Sequence, residues 1–275
     1  MSKKKKYSKK KKYSKKKKPK KIVKKRKSRK SKKSVLKLPF VIVALLLAFM
    51  IPDAGWDLID QVTTHVFQLI DGPSVHVSNS ELAELEFDGI HQVVEVNGNR
   101  AEFTEAELSL AYGSWQTFSD LDRYNRVGPA NAMLSRELMP TEPRESLYVN
   151  PTGWKNKQIT IDGKTNWLYN RCHLIGFQLT GENNNLKNLM TGTRSLNVPH
   201  MLNYENIIAN YLKETNHHIR YRVEPIFKEN ELVARGIQMQ AQSVESNEIN
   251  FNVFIFNIEN GVEIDYTDGT SKLVK

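Results

Sequence analysis

Apolar positions recur along the chain with two different periods. Tyr204, Ile207, Ile208, Tyr211 and Leu212 fall at helical spacing, so residues 204–212 predict an amphipathic helix. Three alternating stretches follow, at 218–227, 232–240 and 249–258, and these read as strands. Upstream, residues 158–161 and 167–175 flank the turn pair Asp162 and Gly163, which predicts a hairpin. Residues 92–96 read as another strand, ending at the hairpin signal of Asn97 and Gly98, and 82–87 as a strand or a short irregular piece. Residues 104–119 and 129–138 read as helical, with turns at Gly128 and Pro129 and between Pro140 and Pro143. A hairpin, a helix and flanking strands place the chain in the α+β class with a mostly antiparallel sheet.

Residues 38–51 are apolar without interruption. That run is short for a span of about 20 residues, but it lengthens if Lys37 snorkels and Trp56 lies at the far interface. No good cleavage site follows, so an uncleaved anchor over 36–52 is expected, with secretion after cleavage as the alternative. Residues 53–81, broken at Asp71, Gly72 and Pro73, read as a stalk, and 82–275 as one globular domain.

Charge sharpens this division. The chain of 275 residues carries a formal net charge of +11, yet 23 of its 41 Lys and Arg residues lie in positions 1–37, where there is no Asp or Glu. What remains has 18 basic and 30 acidic residues, a net charge of −12. The segment 1–35, with its KKKKYS repeat, is too polar to bury a core and is expected to be a disordered cytoplasmic tail able to touch anionic lipid. The positive-inside rule then puts the acidic body outside the cell. Any attraction of that body for nucleic acid must come from a local patch. The single cysteine, Cys172, excludes an internal disulfide and a multi-cysteine zinc site.

Candidate chemistry concentrates in residues 168–197. If 168–173 are extended, Arg171 and His173 share a face and Cys172 points to the other, which argues against a Cys–His nucleophilic pair and for Cys172 as a packing residue. Phosphodiester hydrolysis needs a base to take a proton from water, a cation to offset developing charge, and donors to position the phosphate. His173 can be the base and the Arg171 fork can hold phosphate. Lacking a His or Cys cluster, a metal here should be a hard ion such as Mg²⁺, or Mn²⁺ in its place, with few protein oxygen ligands and retained waters. His217 and His218, neighbours in a strand, diverge and read as surface histidines.

Asn170, Arg171, Cys172 and His173 resemble the D-R-G-H signature of the ββα-metal nucleases, and residues 188–197 resemble their metal-binding segment. The likeness is to the DNA/RNA non-specific endonucleases of Gram-positive bacteria, among them DNA-entry nucleases of competence and secreted streptodornases. It extends over roughly 82–270 through the stretches at 128–133, 138–141, 151–154 and 171–176. The resemblance implies a ββα finger on the sheet, His173 as general base, Asn197 as direct metal ligand, Asn188 as a second site asparagine and Glu205 as an acid near the metal waters. Arg171 or Arg194 would steady the phosphate, one Mg²⁺ would serve, and DNA or RNA would be the substrate. Asn170 in place of Asp and Cys172 in place of Gly depart from the signature. They leave a second reading open, a surface module for DNA binding or uptake with weakened catalysis.

Overall fold

The computed structural model describes residues 74–75, 78–161 and 163–274. The expected tail (1–35), anchor (36–52) and most of the stalk (53–81) lie outside the described residues. Among the described residues, no helix is long and apolar enough to cross a membrane.

In chain order the strands are β1 (Ser74–Val75), β2 (Val93–Val96), β3 (Trp115–Phe118), β4 (Ala130–Leu134), β5 (Gln158–Ile161), β6 (Lys164–Trp167), β7 (Tyr169–His173), β8 (Leu189–Thr193), β9 (Ile219–Ile226), β10 (Gly236–Ser243), β11 (Asn250–Phe256), β12 (Val262–Ile264) and β13 (Ser271–Leu273). The helices are α1 (Asn79–Leu82), α2 (Phe177–Thr180) and α3 (Leu202–Glu214). One seven-stranded sheet runs β1-β2-β11-β10-β9-β4-β3, antiparallel throughout except for the β1–β2 pair. The pairs β5–β6, β7–β8 and β12–β13 stand outside it. This mixed α/β architecture on an antiparallel sheet agrees with the expected class.

The centre of the sheet, β9 to β11, is covered on both faces. On one, α3 lays Ile208, Ala209, Tyr211 and Leu212 into a core with Tyr221, Val223, Met239 and Val253. The other face carries polar residues that are nonetheless buried, Gln238 and Gln240 at 5% exposure each. They are satisfied, as buried amides must be. Gln238 Nε2 donates to Asn252 Oδ1 at 2.8 Å, and Gln240 Oε1 accepts from the Glu102 N–H at 2.9 Å.

That covering corrects the reading of residues 104–119 as helical. The stretch gives two isolated turns, closed by the Leu108 N–H on the Thr104 carbonyl at 3.1 Å and the Gly113 N–H on the Leu110 carbonyl at 3.0 Å, and then β3. The Arg220 guanidinium lies 4.7 Å from the ring of Phe103, just before this stretch, and 5.0 Å from that of Trp115 within it. Residues 129–138 are mostly strand as well, with helical geometry only in the 3₁₀ turn Arg136–Leu138. Ala130–Leu134 form β4 because β9 offers an open edge and the core takes Ala130, Ala132, Met133 and Leu134. The Asn97–Gly98 signal makes a 3₁₀ turn with Gly98 at φ 64° rather than a hairpin, since β2 pairs with β1 and β11. Residues 79–82 form the short helix α1, started by a Ser78–Glu81 capping box, and 83–87 are irregular.

Candidate functional site

The expected finger is present. Strands β7 and β8 pair antiparallel, with His173 opposite Leu189, Arg171 opposite Thr191 and Asn170 opposite Gly192. A turn at Leu196–Met201 then leads into α3. The unit is fastened to the main sheet by the fully buried Asn257, just beyond β11. Its Oδ1 accepts from the Thr193 N–H at 2.8 Å, while its Nδ2 donates to the carbonyls of Thr191 and Ala234.

His173 ends β7 and is 6% exposed. Its Nε2 lies 2.8 Å from the Asn183 carbonyl oxygen. A carbonyl only accepts, so Nε2 carries the proton and Nδ1 keeps its lone pair in the neutral ring. Burial lowers the imidazole's basicity, the Asn183 carbonyl partly restores it, and the nearby Arg144 charge lowers it again. The ring is therefore neutral at pH 7, with a defined basic nitrogen.

Glu205 lies in the first turn of α3 but is buried, so it does more than complement a helix dipole at the surface. Burial pushes its carboxyl up to about 7, against hydrogen bonds from Gln178 and the Gly176 backbone and the charge of Arg144. The approach to Gly176 is so close that a Cβ there would stand 2.5 Å from both carboxylate oxygens. Any larger residue there would have to displace the Glu205 carboxylate.

Asn197 lies against the opposite face of β7 from His173. Its Oδ1 is 3.2 Å from Cys172 Sγ, which also lies 3.2 Å from Met201 Sδ. Cys172 is fully buried and burial holds its thiol protonated, so the sulfur is a weak donor to the Asn197 amide oxygen. Room for it comes from Gly192 on β8, where a Cβ would fall 2.7 Å from the Cys172 Cβ. Gly192→Ala is therefore expected to destabilise the domain by about 1–3 kcal/mol, as overpacking does. Combining it with Cys172→Gly should recover most of that loss. Urea denaturation of the single and double variants measures both effects, and an additive double variant would show that the two residues do not share this space.

Asn188, expected at the substrate, is instead fully buried. Its Oδ1 accepts from the Ile175 N–H at 2.9 Å and its Nδ2 donates to the Ile175 carbonyl at 3.0 Å. The whole amide is spent on holding the backbone just beyond His173. Arg171 is also engaged: Nε donates to the Val149 carbonyl at 2.6 Å, Nη2 to Asn150 Oδ1 at 2.7 Å, and the guanidinium lies 4.6 Å from the Trp154 ring. His217 and His218 are held separately by the Tyr211 hydroxyl and Glu245.

A cleft of about 780 Å³ opens beside the finger. Arg144, Arg171, Arg194, Asn170 and Asn197 line it, and among the described lining residues there is no carboxylate. His173 is not in its lining, but the Arg144 charge reaches His173, Cys172 and Glu205 alike and so joins cleft and buried groups electrostatically. Sequence reasoning missed Arg144, which is flanked by Pro143 and Glu145 in a segment read only as a turn. It also missed Asn183, whose contribution is a backbone carbonyl that every residue type possesses.

Among the described residues no three His, Cys, Asp or Glu side chains gather to hold a metal. The oxygen donors the expected site residues offer are the Asn197 amide at the cleft and the buried Glu205 carboxylate. That set fits a hard divalent ion that keeps most of its waters and does not fit a thiolate- or imidazole-rich centre.

The family model described as DNA/RNA non-specific endonuclease matches residues 108–245. Among solved structures, NucA from Streptococcus agalactiae with magnesium bound is 24% identical, with a TM-score of 0.57 over 66% of this chain and 86% of that one. The same protein without metal gives 24% and 0.58, over 66% and 87%. Sda1 nuclease with bound zinc is 25% identical, with a TM-score of 0.52 over 58% of this chain and 81% of that one.

Proposed function

Because the chain belongs to the DNA/RNA non-specific endonuclease family, we propose that it hydrolyses phosphodiester bonds of DNA, and of RNA, with His173 as general base. The observation that carries this reading is the arginine-lined cleft without carboxylates in a body of net charge −12. It is the local attraction for phosphate that an acidic body needs.

In this mechanism Arg144 and Arg194 hold the non-bridging phosphate oxygens by their planar forks. Arg171, tied to the 149–150 backbone and Trp154, shapes the cleft wall and adds charge to it. Water attacks as Nδ1 of His173 takes its proton, while the Asn183 carbonyl holds Nε2–H and stabilises the imidazolium that forms. Asn188 keeps the backbone after His173 in register. Asn197 would hold a divalent cation directly and Glu205 would hold its waters. Such a cation, Mg²⁺ or Mn²⁺, supplies the charge that offsets the developing negative charge on phosphate and leaving oxygen. On the sequence alone, we place the lysine tail inside the cell, an anchor at 36–52 and the nuclease outside.

The Cys172–Asn197 contact favours a second reading, in which the thiol withholds the amide oxygen and the site binds DNA without cutting it. One experiment separates the two. Full-length protein is incubated with plasmid, with Mg²⁺ or with EDTA, and Arg144→Ala is run beside it. Cleavage that needs Mg²⁺ and drops by roughly tenfold or more in the variant supports the nuclease. A retarded but intact plasmid in Mg²⁺ supports the binding module.

A further inference from the structure

We propose that Trp167 is a base-stacking platform that makes this nuclease prefer unpaired nucleotides, in single strands or frayed duplex, beside the Asn197 end of the cleft. The inference rests on the nuclease reading and adds the form of nucleic acid that the site selects.

A second cleft, of about 280 Å³, lies next to the first. Trp167, Arg194 and Val198 line both, so the two are lobes of one groove with these residues at the division. Trp167 is 54% exposed, which is unusual for the largest apolar side chain unless a partner covers it. Tyr112, Tyr148 and Ile90 are more exposed still, yet line neither lobe. Trp167 thus unites exposure with position.

Its base is firmly set. Trp167 closes β6 opposite Gln158, and the next residue, Leu168, is fully buried. The Leu168 N–H donates to the Lys157 carbonyl at 3.0 Å, and the Leu168 carbonyl accepts from the Arg194 N–H at 2.9 Å. This last bond puts the backbone of the cation beside that of the aromatic. An aromatic side chain and a guanidinium that line the same groove match the two parts of one nucleotide, base and phosphate. The lining of the second lobe also includes Lys164 and Glu259. Glu259, which accepts from the Ser195 N–H at 2.9 Å, would repel a further phosphate, so the stacked track is short.

Stacking on a protein ring requires a base face that is free. In a duplex both faces are covered by neighbouring pairs, whereas a single strand offers them without regard to sequence. The platform therefore selects strand state, not base identity.

The test uses full-length protein in EDTA, where binding is seen without cleavage, with a fluorescein-labelled oligonucleotide as single strand and as duplex of the same sequence. Trp167→Ala is expected to weaken single-strand binding roughly 5- to 150-fold and duplex binding less than about twofold, with Trp167→Phe recovering most of the loss. In Mg²⁺ the alanine variant should raise KM on single strands and leave kcat unchanged. Equal losses on both forms, or no loss on either, would overturn the proposal. Thermal melting of each variant confirms that it is folded. A wild type that cuts nothing in Mg²⁺ yet shows the Trp167 contrast in EDTA would sink the nuclease reading alone.

Discussion

His173→Ala is expected to slow plasmid cleavage by roughly 10²- to 10⁴-fold while binding in EDTA stays nearly unchanged. The base acts only on the proton of the attacking water, and the arginines that hold phosphate remain in place. The pH profile of the wild type carries a sign that can be checked. Burial and Arg144 make the ring harder to protonate, so the active neutral form persists to below the ordinary 6.5. The part of the acid limb in Mg²⁺ that belongs to His173 should therefore appear only as pH drops under about 6.5, below any loss near 7 from protonation of Glu205. A wild type and His173→Ala variant of equal rate would remove His173 from the chemistry.

Glu205→Gln should stabilise the metal-free protein at alkaline pH. The folded carboxyl is pushed up to about 7 from its ordinary 4.5, so between those values the folded chain binds the proton more tightly than the unfolded one. Stability is then greatest below 4.5, declines as pH rises through 7, and is lower by about 3 kcal/mol above it. Glutamine removes the ionisation. At pH 8.5 in EDTA the variant's Tm should exceed the wild type's by roughly 6–12 °C, and at pH 4.5 the two should nearly coincide. Adding Mg²⁺ at pH 8.5 should raise the wild type more than the variant, because a cation offsets a charge that only the wild type carries. Scanning calorimetry at the two pH values decides it. Equal Tm values at pH 8.5 without metal would mean that the carboxylate is already compensated.

Both predictions concern the part of the molecule most legible in its sequence. The periods of 3.6 and 2 in residues 204–258 correspond to α3, β9, β10 and β11, because there a single buried core dictates which positions are apolar. Strand β7 lay where its alternation put it, with Cys172 buried on the face away from His173. Residues 104–138 misled because their composition suits a helix, while the open edge of β9 and the buried glutamines of β10 call for strand and covering loop there. Asn188 looked like a site asparagine and proved to be an internal fastener, since spacing says where a side chain falls along the chain and not what it bonds. The Cys172 and Gly192 exchange of space could not be seen until β7 and β8 were placed in register.

The Asn183 carbonyl that holds His173 has a consequence for how the loop between α2 and β8 tolerates change. A backbone acceptor is indifferent to the side chain attached to it, so at Asn183 the path of the chain matters and the side chain matters far less. Asn184 defines that path: its Oδ1 accepts from the Tyr148 N–H at 2.9 Å and its Nδ2 donates to the Ser146 carbonyl at 3.0 Å. The loop is thus a ruler for the imidazole: substitutions at Glu182 and Asn183 can accumulate, those at Gly181, Asn184 and Asn185 cannot, and a change of length by one residue shifts the carbonyl and leaves Nε2 of His173 without the partner that defines its basic face.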